Sequence, residues 1–256
     1  MERGAERKRG GVRILLAVLS FFLLVSQVYA FSFAVFGDSH SNDIFQTILD
    51  KVNADPEIEF AVHTGDLVNY GKRTDYEKYL SQTKGRRVKI YQVVGNHDAV
   101  SGGYKLFQKY FGPAYYSFDR ENAHFIVLDN AFKGDFNKTQ FNWLVADLKK
   151  NQGKLIFVFF HKPVFDPTEV YSEYIMSERK TAEELMGLFQ KYQVRYVITG
   201  HIHGFGKAER EGIIYMISGG AGGSLHLPYY LGGFYHYVKI TVKGDKITDK
   251  AVKLDE

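Results

Sequence analysis

Asp38-Ser39-His40, Gly65-Asp66, Gly95-Asn96-His97-Asp98, His161 and Gly200-His201-Ile202-His203 occur in that order along the chain. Carboxylates, a carboxamide and imidazoles are the donors that hard or borderline divalent cations take. Two such cations roughly 3.5–4 Å apart can polarise a phosphoryl oxygen and hold a water ready for in-line attack. Cations that close need a bridging anion, which one shared Asp would supply. Taken singly, each residue has a plainer reading. Asp38 or Asp66 could cap a following helix, His161 could end a strand, and His201 and His203 could be unrelated surface residues. Their joint order favours a metal site.

The elements that must position these residues can be read from the runs before them. FSFAVFG stops at Asp38, EFAVHTG at Asp66, KIYQVVG at Asn96, LIFVFF at His161 and YVITG at His201. Apolar runs of this length read as buried strands, and in open α/β sheets ligand sites gather beyond the carboxyl ends of strands. Strands are expected at 31–36, 59–63, 88–94, 115–118, 123–128, 155–160 and 194–198. Helices are expected at 43–53, 74–80, around 104–111, from a Thr139 cap to 148, and from a capping box at Thr181–Glu184 to 192. Strand–helix alternation implies a parallel sheet. After 206 the pattern changes to strands at 213–218, 234–242 and 246–253, the last two joined at Gly244-Asp245.

The ordered set Asp38/His40, Asp66, Asn96/His97/Asp98, His161 and His201/His203 resembles the calcineurin-like metallophosphoesterase superfamily, whose pattern is D-x-H, G-D, G-N-H-[D/E], H, G-H-x-H. The stretch 111–130 and then 140–148 is similar to the segment after G-N-H-D in purple acid phosphatases and in bacterial cyclic-nucleotide phosphodiesterase-like members. The resemblance implies an α/β (α+β) fold, a two-sheet β-sandwich flanked by helices with the metal site at strand ends along one edge. It implies that Asp38, His40 and His203 hold one metal, that Asn96, His161 and His201 hold another, and that Asp66 bridges. His97 would act as an acid or contact phosphate, with Asp98 fixing its ring. Purple acid phosphatases carry D-x-G and G-D-x-x-Y, where the Tyr binds ferric iron. Here His40 replaces that Gly and Asn69 that Tyr, so no iron–tyrosinate centre is expected.

Residues 1–30 differ from the rest: five basic and two acidic residues precede the apolar core 14–25, and the stretch ends in Val28-Tyr29-Ala30. This is the pattern of a secretory signal peptide, with a core shorter than the about 20 residues of a membrane span. A secreted or periplasmic location is expected, or a membrane anchor if the segment stays uncleaved. The full chain is formally +4, most of it from this leader. That balance does not indicate nucleic-acid binding, and the basic cluster at Lys84–Lys89 reads as a solvated turn. Residues 31–256 are expected to form one domain, with 206–256 completing the second sheet. The chain has no cysteine, which excludes disulfides and thiolate ligands.

The expected function is hydrolysis of small-molecule phosphate esters by attack of a metal-bridging hydroxide, with two divalent ions of manganese, iron, zinc or cobalt. A phosphodiester and a phosphomonoester substrate both remain open, the latter needing extra cations such as Arg73, Lys105 or Lys162. A non-catalytic binding module that keeps the fold is the alternative of another class. It would be marked by lost ligands, and no ligand is missing here. His63, His124, His236 and Trp143 read as structural or core residues. The Gly-rich tract 219–233 reads as a loop or as a pocket wall, with His226, Tyr229 and Tyr230 as leaving-group contacts. The sequence sets neither metal identity nor oligomeric state.

Overall fold

The computed structural model describes residues 30–132, 134 and 136–255, so the expected leader lies outside the described residues except for Ala30. The strands are β1 (Ala30–Phe36), β2 (Ile58–His63), β3 (Lys89–Gln92), β4 (Tyr116–Arg120), β5 (Ala123–Val127), β6 (Leu155–Phe159), β7 (Tyr196–Thr199), β8 (Phe205–Arg210), β9 (Ile213–Ser218), β10 (His236–Lys243) and β11 (Lys246–Lys253). The helices are α1 (Asp43–Ala54), α2 (Arg73–Thr83), α3 (Asn96–Ala99), α4 (Gly103–Phe111), α5 (Lys138–Lys150) and α6 (Arg179–Lys191). Among these no helix is long and apolar enough to cross a membrane.

Two sheets form, in the orders β11-β10-β1-β2-β3 and β4-β5-β6-β7-β9-β8. Within each, the strands that lead to the chemistry-bearing residues are parallel: β1, β2 and β3 in the first, β5, β6, β7 and β9 in the second. Alternation along β1 explains how the layers pack, because successive side chains point to opposite faces. Phe33 and Val35 meet Phe125, Phe157 and Phe159 of the facing sheet, with the Phe33 ring stacked 5.1 Å from Phe60 and edge-on at 5.2 Å to Phe125. Ala34 and Phe36 face the other way, onto Phe45 and Ile48 of α1 and Tyr79 of α2. The second sheet covers its outer face with Leu144 and Leu148 of α5 and Leu185 and Phe189 of α6. The result is a two-sheet sandwich between helices.

Several local expectations change. Residues 206–256 do not complete the second sheet alone. β8 and β9 extend it, but β10 pairs antiparallel with β1 and carries β11 at the edge of the first sheet. The register of β1 with β10 explains this, since Val238, Ile240 and Val242 add to the inter-sheet core. β8 was absent from the expected strands because GKAER has no apolar alternation; it is an edge strand whose charges face solvent. Asn137, not Thr139, caps α5, accepting from the Thr139 and Gln140 amides. α6 begins at Arg179, so Thr181 lies inside it and forms no capping box. Trp143 is half-buried, its ring 5.1 Å from Tyr115. The basic turn is solvated as expected, with Lys84, Arg87 and Lys89 exposed, and its arginines also brace the fold: Arg86 bonds Asp50 and Gln46, and Arg87 bonds the carbonyls of Asn53, Asp55 and Ile58.

Candidate metal centre

The loops after β1, β2, β3, β6 and β7 converge at one edge of the sandwich. Backbone bonds stitch them together: the Asp38 amide donates to the Gly65 carbonyl (2.9 Å), His40 to Asp66 (3.1 Å), Gly200 to His161 (3.0 Å) and Gly223 to Asp38 (2.7 Å). To turn this sharply, Asp38, His40, Asp66 and His201 all adopt positive φ, at 58°, 48°, 55° and 70°. Non-glycine residues rarely take that conformation, and it clusters at functional sites. The glycines that precede ligands are there for space. A Cβ on Gly95 would overlap the Asp66 carboxylate, and one on Gly200 would overlap that of Asp38.

The turns bring together all seven residues that the resemblance assigned to metals. Asp38, His40, Asp66 and His203 form one group, and Asp66, His161 and His201 another; within each, the donor atoms lie within 4.8 Å of one another. Asp66 belongs to both. The Asn96 carboxamide oxygen joins the second group, 3.1 Å from His161 Nε2.

Hydrogen bonds behind the rings decide which nitrogens face inward. His161 Nδ1 lies 2.9 Å from the Thr64 carbonyl, so it carries the proton and donates. In the neutral ring Nε2 is then a bare lone pair, yet it faces Asn96 Oδ1 at 3.1 Å and Asp66 Oδ2 at 3.3 Å. His203 repeats the pattern. Its Nδ1 donates to the Ser224 carbonyl at 2.7 Å, and Nε2 faces Asp38 Oδ1 at 3.5 Å and His40 Nε2 at 3.4 Å. Acceptors converging on one point repel unless positive charge sits among them. The donor set therefore fits divalent cations with N/O ligands, and carbonyls that fix the tautomer of a ligating His are the usual supporting contacts.

Burial and mutual charge shift the ionisation of these groups. Burial opposes charge on His161, but the Asp66 and Asp38 carboxylates push its pKa up to about 9. Burial would raise Asp66, and His161 and His40 instead hold it below the usual carboxylate range. His201 is pushed down to about 2 by burial and by the neighbouring His161.

The supporting residues are partly those expected. His63 is fully buried in β2 and burial pushes it down to about 3, so it is neutral. The Gly65 amide donates to Nδ1 (3.3 Å), which leaves Nε2–H to donate to Ser39 Oγ (2.9 Å), and Ser39 donates to the Leu67 carbonyl (3.2 Å). One core histidine thus ties the Asp38–His40 loop to the Asp66 loop. Asp98 does not hold the His97 ring. Its oxygens accept from the Gly95 amide (2.8 Å) and the Val68 amide (3.0 Å), because α3 starts at Asn96 and places Asp98 over its own N-terminus. Burial and the nearby Asp66 raise its pKa well above the usual range. The Asn69 carbonyl holds His97 Nδ1 instead, at 2.7 Å. Asn130, which no sequence signal marked, accepts from the His161 and Lys162 amides, each at 3.0 Å.

A pocket opens over the cluster, lined by His40, Asn69, His97, His203, Gly223 and His226 among others, with no Arg or Lys among the described residues that line it. His226 stacks on His203 at 4.1 Å. Tyr229 and Tyr230, expected beside it, line a separate surface cavity with Phe205 and Lys253. The loop turns outward at Pro228, leaving Tyr230 83% exposed.

Parallel strands delivering buried histidines and carboxylates to one edge of a two-sheet sandwich define a metallo-dependent phosphatase-like fold. A yellow lupin seed purple acid phosphatase shares it, with a TM-score of 0.74 over 90% of this chain and 52% of that one at 16% identity. The model of the calcineurin-like phosphoesterases matches residues 31–205, and the chain belongs to that family. It is 28% identical over 167 residues to a 3′,5′-cyclic-nucleotide phosphodiesterase of Nostoc sp., covering 63% of this chain and 62% of the relative. It is 26% identical over 178 residues to a probable glycerophosphodiester phosphodiesterase of Arcobacter nitrofigilis, covering 62% of each. The chain thus spans less than two thirds of the length of these relatives.

Proposed function

We propose that the chain is a metal-dependent phosphoester hydrolase with two cation half-sites, acting by preference on phosphodiesters. The observation that carries this reading is Asp66, a buried carboxylate shared by both donor groups. Asp38, His40 and His203 would complete one half-site, and Asn96, His161 and His201 the other. Divalent cations bound there would polarise a phosphoryl oxygen and lower the pKa of a coordinated water. The chain's own residues orient these groups. Thr64 and Ser224 set the tautomers of His161 and His203. His97 donates Nδ1–H to the Asn69 carbonyl and presents Nε2 to the pocket, from which its imidazolium form can pass a proton to a leaving oxygen.

The diester preference is supported by the pocket lining, which carries no Arg or Lys among the described residues, whereas a monoester dianion calls for added cations. Lys162 is a cation whose field reaches the cluster, where it opposes protonation of His201. The two phosphodiesterase relatives favour the same substrate class. Export through residues 1–30 is part of the proposal and rests on their sequence pattern; N-terminal mass spectrometry of the exported protein should read from Phe31.

Metal analysis with hydrolysis of bis-p-nitrophenyl phosphate and p-nitrophenyl phosphate, with a chelator control, tests the reading. The native chain should bind two equivalents and favour the diester. Asp66→Asn should lose metal and turnover together. Full metal content with normal turnover in that variant would refute the shared-ligand assignment.

A further inference from the structure

The segment that leaves His161 runs back across the metal edge before α6 begins, and a buried carboxylate fixes its shape. Asp166 Oδ1 accepts from the Thr168 amide (2.8 Å), and Oδ2 from the amides of Val170 (2.8 Å) and Tyr171 (2.7 Å). The Met176 amide closes the segment onto the Pro163 carbonyl (2.8 Å). So held, Tyr171 donates its hydroxyl to the His226 carbonyl at 2.8 Å, joining this segment to the Gly-rich loop. Tyr174 follows one turn later. Its ring centroid lies 5.8 Å from His201, 5.2 Å from His226 and 5.4 Å from Tyr171. It is 36% exposed.

We propose that Tyr174, with His226, forms an aromatic wall that binds a planar arm of the phosphoester, an aryl or heteroaryl group, beside the phosphate position. The inference rests on the hydrolase reading for where the phosphate sits. Three features support it. The ring stands against His201 and against His226, which stacks on His203, so it touches one donor group directly and the other through His226. Its exposure is that of a surface aromatic, although the segment around it is held by four amide hydrogen bonds to Asp166 and Pro163, and its own amide donates to the Tyr171 carbonyl at 3.1 Å. The pocket over the cluster is lined by imidazoles, amides, glycines, Ser224 and Tyr235, and Tyr174 is the tyrosine whose ring contacts His201 of the donor set beside it. A planar π-face can stack on it, while a small alkyl arm gains little. The wall is already formed, so stacking costs little ordering of the protein.

Calorimetric binding of phenylphosphonate and methylphosphonate to the metal-loaded protein tests this without requiring turnover. The native chain should bind the phenyl compound about 10-fold more tightly, the scale of one aromatic stacking contact. Tyr174→Ala should bring the ratio near one and leave methylphosphonate affinity unchanged, while Tyr174→Phe should keep the preference. The same ratio in all three proteins would overturn the wall. Failure of the native chain to bind either phosphonate would overturn both the phosphate position and the wall. A retained ratio in a protein that hydrolyses no ester would sink the catalytic reading and leave the wall standing.

Discussion

Replacing His63 by phenylalanine isolates the contribution of a residue that touches no proposed metal. The ring volume and its edge-on contacts with Phe36 and Phe45, at centroid distances of 5.4 and 5.6 Å, carry over. What is lost is polar. The Gly65 amide loses its acceptor inside the core, and an unsatisfied buried donor costs about 1–3 kcal/mol. Ser39 Oγ loses a donor but keeps its own bond to Leu67, a net hydrogen bond of about 1 kcal/mol. The expected destabilisation is therefore about 2–4 kcal/mol, measured by urea unfolding of the chelator-treated protein. Because the histidine joins the Asp38–His40 and Asp66 loops, metal affinity should also fall about 10- to 100-fold, the usual scale for supporting residues, read by calorimetric titration. Ser39→Ala should cost less in the phenylalanine background than alone, since both act through one bond. Unchanged stability and unchanged affinity would refute the coupling of the two loops through His63.

A second prediction concerns His124, far from the metal edge. It is sandwiched between Asp119 Oδ1 (2.6 Å) and Asp147 Oδ2 (2.8 Å), with Asn151 at 3.2 Å and Lys154 bonded to Asp119 at 2.8 Å. Burial opposes its charge, but bonds to Asp147 and Asp119 raise its pKa above the ordinary 6.5. The stability it contributes is thus fully present below the unfolded pKa and is lost as pH rises through the folded pKa. Unfolding midpoints of the native chain, relative to His124→Gln, should show an advantage that shrinks above about pH 6.5; an advantage that grows instead would contradict the assignment. For His97→Ala, metal content should be retained. Rate on alkyl esters should fall about 100- to 10,000-fold and on p-nitrophenyl esters much less, since nitrophenolate leaves without a proton. Equal losses would assign His97 to phosphate positioning.

The candidate ligand set was legible in the sequence because most of its members follow an apolar run, and a buried strand that stops at Asp, Asn or His announces a site at its carboxyl end. Asp38, Asp66, Asn96, His161 and His201 carry that local signal. Helices α1, α2 and α4 and the turn at Gly244-Asp245 were legible through periodicity and turn chemistry, whereas the single turn of α3 was not. The resemblance supplied the pairing of ligands into half-sites and the two-sheet fold, which neither spacing nor hydropathy contains.

Only the tertiary structure decided the contacts between segments distant in the chain. Asp98 follows His97 directly, yet one helical turn carries its carboxylate back to Gly95, and Asn69, 28 residues earlier, holds the His97 ring. Residues 206–256 divide between both sheets because β10 pairs with β1, a register set by the shared core. His226 and Tyr230 lie four residues apart in one loop, but the turn at Pro228 sends one to the pocket and the other to solvent. Thr64 and Ser224 orient candidate ligands through backbone carbonyls that every residue type possesses, and the Asn130 side chain finds the His161 amide only across 31 residues of chain. Residue identity encodes side-chain chemistry and local periodicity; backbone partners across long separations exist only once the chain has closed on itself.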